Sequence, residues 1–545
     1  MVLSVLIALK IVLLFLFAWS SRFVMDEFVQ LGWAKYLNDG LYDTIWPGKA
    51  VGYAVFYKLA HLIGWNATSI LLIGRLQTAL VGCAILAMIY ACARALGEDR
   101  LRALAIVLVL LSFSNFIERI FRTIAEPLAV SFAVAALLVV LRSRADRPRT
   151  VVLAGALSGL SFLATQKAVY FDVALGLALV ADAALSRRYV AGFVRVALLV
   201  LGWLIPIAAY CLVFGGADPF PIARSLVFGP VEVASSSIAT EYGGLRHYVA
   251  QTLLRNFPVY LFCFAGMVFE LVRIRQIVGG RRIALIFSMI VTALVFAHNQ
   301  PWPYVFIMAL PFMVLWSLVP LERLADNRSY LRLALLVLSV GIAISFIRNV
   351  QYLRIDNNDQ LALVERAESM LAPNEVYFDG IGMLPNRPET STLWLDRHYV
   401  LKTLREKQGS EAYRIFAEHP PKVLLWSYRM DAIEPVVGPL ISGGYVQIAP
   451  NLRMAGRRLI RGEPTSFDVP VAGRYVLYDE AGERLHGQVD VKGVRRAYPL
   501  HLDRGPTEVV LQSGAERALL LPEGSYKGRL SRRGDNRSLF ENVYD

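Results

Sequence analysis

The chain has 545 residues, 56% of them hydrophobic, and a formal net charge of +13. A mean hydropathy of +0.49 and repeated apolar runs of about 20 residues exclude an ordinary soluble protein and require an integral membrane one. The four cysteines (Cys83, Cys92, Cys211, Cys263) all lie inside apolar runs with no CxxC or zinc spacing, so they read as small core residues rather than a disulfide or metal framework.

The pattern predicts about eleven transmembrane helices, over 3–23, 69–93, 103–116, 124–141, 151–165, 168–185, 196–214, 257–272, 283–297, 304–320 and 331–347. The first run follows almost no basic residue and lacks a small-x-small cleavage site, so it reads as a retained helix, not a signal peptide. Loops after the even-numbered spans are rich in arginine: Arg94, Arg100 and Arg102; Arg142, Arg144, Arg147 and Arg149; Arg187, Arg188 and Arg195; Arg273, Arg275, Arg281 and Arg282; Arg323, Arg328 and Arg332. The positive-inside rule makes those loops cytoplasmic, with the N-terminus inside and the tail outside. The net charge then reports topology and implies membrane lipids, not nucleic acid, as its partner.

Two outer loops stand out. That at 24–68 is rich in Trp and Tyr, with amphipathic pieces suited to the membrane interface. That at 215–256 carries "GGADPFPIARS" and "SSSIATEYGG", the Gly, Pro and Ser clusters of a loop. Beyond residue 350 the long apolar runs stop. "NDQLALVERAESMLA" has helical spacing, "EVYFDG" and "KVLLWSY" read as buried strands, and "SEAYRIFAEH" as a helix between them. From 462 onward, "TSFDVPVAGRYVLYDEAG", "HGQVDVKG", "TEVVLQSG" and "RALLLPEG" are short strands ending in Gly turns. The expected domains are a transmembrane region over 1–350, an extracytoplasmic α/β region over 351–461 and a β-sandwich-like region over 462–545.

Ionisable residues gather at the outer ends of the spans. Asp26 and Glu27 follow the first span. "ERIFRTIAEPLAVSF" opens the fourth, with Arg119, Arg122 and Glu126; Arg122 and Glu126 are four apart and are expected on one helix face. Lys167 lies between the fifth and sixth spans, Lys49 in the first outer loop, and His298 after the ninth. Each alone has a structural reading: a solvated helix end, an intrahelical ion pair, a snorkelling lysine. Together they place carboxylates and cations at one membrane face. Transfer from an anionic lipid carrier needs that combination: a base for a hydroxyl proton and fixed positive charge for a departing phosphate. Tyr475, Tyr478 and Tyr498 of the tail are positioned at strand spacing and are expected in its core more than on a sugar.

The order of these features resembles the GT-C fold membrane glycosyltransferases, in the branch of the protein O-mannosyltransferases and the lipid A aminoarabinose transferase. The resemblance covers roughly residues 5–350. It rests on the acidic pair "MDE", the stretch "WPGKAVGYAVFYKLAHLIG", the Arg-led "IGRLQTALVGCAILAMIYACARALG", "FRTIAEP" with Glu126 where Asp is commoner, "TQKAVYF", and "PWPYVFIMALPF" with Tyr304. It implies a polyprenyl-phosphate sugar donor attacked from the outer side with inversion, and a glycan, lipid or protein acceptor. Asp26 is then the base, Glu27 and Glu126 the supporting carboxylates, and Lys49, Arg119, Arg122, Lys167, His298 and Tyr304 the groups around the sugar and carrier phosphate. No metal is obligatory with a monophosphate carrier, although some relatives use a divalent ion. The Arg-, Ala- and Leu-rich style of the sequence suggests a bacterium, so the expected location is a bacterial plasma membrane. A lipid-linked sugar transporter and a non-catalytic glycan-binding scaffold are the rival readings. A transporter would place its ionisable groups at mid-bilayer, where the sequence has chiefly Arg75, Asp172 and Asp182.

Overall fold

In a bilayer every backbone polar group must be satisfied inside the chain, so long apolar runs fold as helices. The computed structural model describes residues 1–38, 42, 50–143, 147–235, 245–390, 397–496, 498–524, 526, 528 and 537–540. Two compact units divide it. The first comprises Met1–Ser21, Leu37–Ala60 and Leu72–Asp356, and the second Arg22–Tyr36, His61–Leu71 and Asn357–Asp545.

In the first unit, each expected span except that at 304–320 has a helix. Among the described residues seven are long and apolar enough to cross a membrane, or eight if His247–Arg255 and Phe257–Val272, bent by 94°, form one span. The expected count of eleven included shorter helices such as Arg100–Leu111 and Pro148–Ala164. The helices Val2–Ser20, Tyr189–Gly215 and Arg328–Tyr352 leave apolar residues such as Leu9, Phe193 and Leu336 exposed, as a lipid-facing surface requires. The run Val305–Arg323 is buried almost throughout. Pro311 and Pro320 lack the N–H a continuous helix needs, and the run is built instead of short 3-10 and α turns.

Salt bridges tie the arginine-rich loops together. Arg102 pairs with Glu322, Arg281 with Glu270 at 3.0 Å and with Glu98 at 3.8 Å, and Arg323 with Glu270 at 3.8 Å. These loops therefore meet at one end of the first unit. Asp182 lies in the last turn of its helix and pairs with Arg195 at 3.2 Å and Arg282 at 2.6 Å. One intramembrane charge escaped sequence reading. Lys10, fully buried, donates to Ser345 Oγ at 2.9 Å and to Asn349 Oδ1; a buried cation persists only when so paired.

The second unit holds the tail. A four-stranded sheet has the order β1-β2-β4-β3, from Tyr377–Phe378, Val423–Leu425, Leu452–Ala455 and Tyr445–Ala449, with β1 parallel to β2 and the rest antiparallel. The remaining strands are β5 (Arg457–Ile460), β6 (Pro464–Val469), β7 (Gly473–Tyr478), β8 (Gln488–Val491), β9 (Val494–Arg496), β10 (Leu500–Leu502), β11 (Gly505–Ser513) and β12 (Arg517–Pro522). They form two four-stranded sheets, β10-β7-β12-β5 and β6-β11-β8-β9, on a shared core that includes Leu459, Phe467, Tyr475, Leu477, Val489 and Leu511. Tyr475 and Tyr478 are buried there, and the Tyr498 hydroxyl accepts the Leu477 N–H at 3.1 Å, so these rings are core. Unlike the consecutive division expected at residue 350, this unit also takes in Arg22–Tyr36 and His61–Leu71. The cause is local: Met25, Phe28 and Leu31 of the helix Met25–Lys35 are fully buried, and Phe28 packs on Phe540 with ring centroids 6.0 Å apart.

Candidate active site

In the first unit, the chain ends the helix Pro148–Ala164 and turns once through Gln166–Ala168 before the next helix. That turn aims Lys167 at Glu126, in the first turn of the helix Ala125–Ser143. The Lys167 Nζ donates to Glu126 Oε1 at 2.8 Å and to the Tyr304 hydroxyl at 3.3 Å, and stands 4.4 Å from the Tyr304 ring centroid. Glu126 is only 3% exposed, so this is a largely desolvated, charge-assisted pair. Next to it, His298 Nδ1 and the Tyr170 hydroxyl share a hydrogen bond of 2.7 Å. Burial pushes the His298 imidazole down to about 4, and the Lys167 cation adds to the shift. His298 is therefore neutral near pH 7 and can meet an anion by hydrogen bonding, not as a standing charge. It follows the helix Gly280–Phe296, whose other end carries the paired Arg281 and Arg282. The cluster and the arginine-rich loops thus lie at opposite ends of that helix, about 25 Å apart at 1.5 Å per residue.

A second cluster precedes Glu126 in the chain. Arg119 and Arg122 are each 1% exposed. The Arg122 Nε donates to Glu118 O at 3.2 Å and its Nη2 to the Tyr352 hydroxyl at 2.5 Å. The helix begins only at Ala125, so Arg122 lies before it and the expected shared helix face with Glu126 does not form. Glu118 was not singled out from the sequence. Burial pushes its carboxyl up, while Arg119, Arg255, Arg122 and Arg348 act in the opposite sense. Cations thus outnumber the carboxylate among these groups. Asn256 steadies the region, accepting the Ser114 N–H at 3.1 Å and donating to Ser114 Oγ at 3.0 Å. The "ER" of "ERIFR" was the only sequence signal for Glu118, and nothing in the sequence linked it to Arg255 or Arg348.

The remaining acidic candidates belong to the second unit. Asp26 is half-buried in the first turn of Met25–Lys35, where the helix dipole favours a carboxylate. Glu27 is fully buried, and its Oε1 accepts the Val24 N–H at 3.0 Å. It caps its own helix. Lys49 and Arg144 lie outside the described residues, as does most of "SSSIATEYGG". Among the described residues, no three His, Cys, Asp or Glu side chains group closely enough to hold a metal ion. A cleft of about 700 Å³ in the second unit, lined by residues such as Tyr445, Arg457 and Glu480, contains none of the candidate residues.

Solved structures with the same architecture decide the fold. ArnT from Cupriavidus metallidurans bound to undecaprenyl phosphate superposes with a TM-score of 0.57 at 14% identity, over 83% of this chain and 97% of that one. The Archaeoglobus fulgidus oligosaccharyltransferase in its apo form gives 0.51 at 10% identity, over 98% and 95%. The same enzyme tethered to an acceptor peptide gives 0.50 at 12% identity, over 81% and 72%. The fold is GT-C. Within the GT-C chain, residues 401–454 and 457–522 match two families, each described as a domain of unknown function (DUF7056 and DUF7055). No curated protein matches the sequence.

Proposed function

We propose that the protein is a membrane glycosyltransferase that moves a sugar from a polyprenyl-phosphate carrier to an acceptor hydroxyl on the extracytoplasmic side of a bacterial plasma membrane. The observation that carries this reading is the Glu126–Lys167–Tyr304 constellation, set at the end of the helix bundle opposite the arginine-rich loops. The GT-C fold supports it, as does the structural likeness to ArnT, which was solved bound to undecaprenyl phosphate.

The chemistry is one displacement. Asp26 takes the proton of the acceptor hydroxyl, whose oxygen attacks the anomeric carbon from the face opposite the carrier. The bond from that carbon to the phosphate oxygen breaks, and the carrier phosphate leaves with the electron pair. Charge grows on the departing phosphate, so fixed cations contribute most in the transition state. Lys167, oriented by Glu126, supplies one; Arg119 and Arg122 supply the others. The neutral His298 and Tyr304 add hydrogen bonds to the phosphate or sugar. The outer loops at 24–68 and 215–256 help exclude water when donor is bound.

Sugar transfer from a purified polyprenyl-phosphate donor in detergent tests the reading. Wild-type protein forms product, and Asp26→Asn lowers kcat by about 10²–10⁴-fold, the range for loss of a general base. Full activity in Asp26→Asn removes it as the base. Movement of labelled lipid-linked sugar across proteoliposomes without product replaces the enzyme with a transporter.

A further inference from the structure

The helix carrying Asp26 is fastened along its whole length within the second unit. At its start, Gln360 from the helix Asn358–Ser369 reads the main chain of Phe23. The Phe23 N–H donates to Gln360 Oε1 at 2.6 Å, and Gln360 Nε2 donates to Phe23 O at 3.1 Å and to Leu539 O at 2.9 Å. In the middle, His61 Nε2 meets Leu31 O at 2.9 Å. At the end, Lys35 Nζ donates to Arg387 O. Arg387 itself sits on a braced loop. The Asp379 carboxylate accepts the N–H groups of Ile381, Gly382 and Met383 at 2.6–2.7 Å, and Arg387 pairs with Glu368 at 3.5 Å.

Burying Gln360 completely is costly unless its amide is satisfied, and an apolar side chain would fill the same space without that demand. What the amide adds is direction. Paired to both the N–H and the C=O of Phe23, it fixes the angle at which the chain runs into the helix three residues before Asp26. We propose that Gln360 is a positioning residue for the Asp26 carboxylate, and that holding this helix is a function of the extracytoplasmic tail in the transfer reaction. The inference rests on the proposed role of Asp26. Gln360 touches neither donor nor acceptor; it acts by aiming the base, and a misplacement of about 1 Å at such a group can lower the rate about 10²-fold.

The test uses the full-length protein in detergent and follows kcat, KM for a polyprenyl-phosphate sugar, and thermal unfolding. Gln360→Ala is expected to lower kcat by about 10–100-fold with KM for the donor unchanged. Gln360→Glu should recover activity as pH falls from 8 to 5, measured as the ratio to wild type, because a protonated carboxyl both donates and accepts as the amide does. A folded Gln360→Ala with wild-type kcat overturns the inference. So does a loss confined to KM, or a Gln360→Glu ratio indifferent to pH. If Gln360→Ala does not fold, the helix end carries the test: Lys35→Met loses kcat and Lys35→Arg restores it, and an unchanged Lys35→Met overturns the proposal. A dead Asp26→Asn beside a wild-type Gln360→Ala defeats the positioning inference alone, whereas a fully active Asp26→Asn defeats the assignment of the base.

Discussion

Lys167 and Glu126 form a pair on which stability depends and to which the proposed chemistry assigns the carrier phosphate. Two charges withdrawn from water are tolerable only together, and removing one strands the other. Lys167→Met should therefore destabilise the protein by roughly 3–5 kcal/mol, and adding Glu126→Gln should restore part of it, because the orphaned carboxylate is gone. Thermal unfolding of the two singles and the double in detergent measures the coupling; additive losses would show that the pair does not act as a unit. A second buried group makes a pH prediction. Glu389 accepts from the Tyr377 hydroxyl at 3.1 Å, and burial raises its carboxyl well above the usual range, opposed by Lys35 and reinforced by Asp379. Asp379 is itself pushed up to about 6 by burial. An acid whose folded pKa is raised stabilises fully below its unfolded value, and that stability is lost as pH rises through the folded value. The melting temperature should fall as pH rises from about 4 through 6 and beyond, the ordinary carboxyl range marking the lower bound. Glu389→Gln should flatten the slope. At this scale Glu126, Lys167 and Tyr304 were legible because their motifs occur in order along the chain. Glu118, Lys10 and Gln360 were not, since each is defined by a partner more than 100 residues away or by groups from several helices.

At the scale of elements, hydropathy located the helices, but their closeness depends on residues that hydropathy ignores. A Cβ on Gly155 would stand 2.1 Å from Leu199 O, and one on Gly202 2.1 Å from Val152 O. The backbones of Pro148–Ala164 and Tyr189–Gly215 touch at these glycines. Close approach through small residues is how helices associate in lipid, where no hydrophobic force separates tail from side chain. Gly202→Val should lower the unfolding temperature in detergent, at roughly 1–3 kcal/mol for overpacking, and Gly176→Val, with open space around its Cβ position, should not share that clash. The broken run Val305–Arg323 is the converse case. Its prolines were visible in the sequence, yet only its nearly complete burial explains why an irregular backbone is tolerated there.

For the whole molecule, the clustered arginine-rich loops and the tail make a topological prediction. Single cysteines replacing the exposed Arg100 and Arg474 should react with a membrane-impermeant thiol reagent from opposite sides of sealed vesicles. Labelling of both from one side would remove the proposed orientation. The division into two units also changes what the first outer loop is for. Asp26 and Lys35 share a helix that belongs with the tail, whereas Glu126, Lys167 and Arg122 belong with the helix bundle.

Sequence alone determined that the chain crosses a membrane, where its long apolar helices run, several of the tail's strands but not Tyr445–Ala449, Leu452–Ala455 or Arg457–Ile460, and which charges gather at span ends. Those properties follow from local periodicity and composition, which each segment carries by itself. Tertiary structure decided that Glu27 is a cap, that Glu126 holds Lys167 rather than sharing a helix face with Arg122, and that Gln360 grips Phe23. A hydrogen bond or ion pair is fixed by the meeting of groups distant in the chain, and no single segment encodes the identity of its partner.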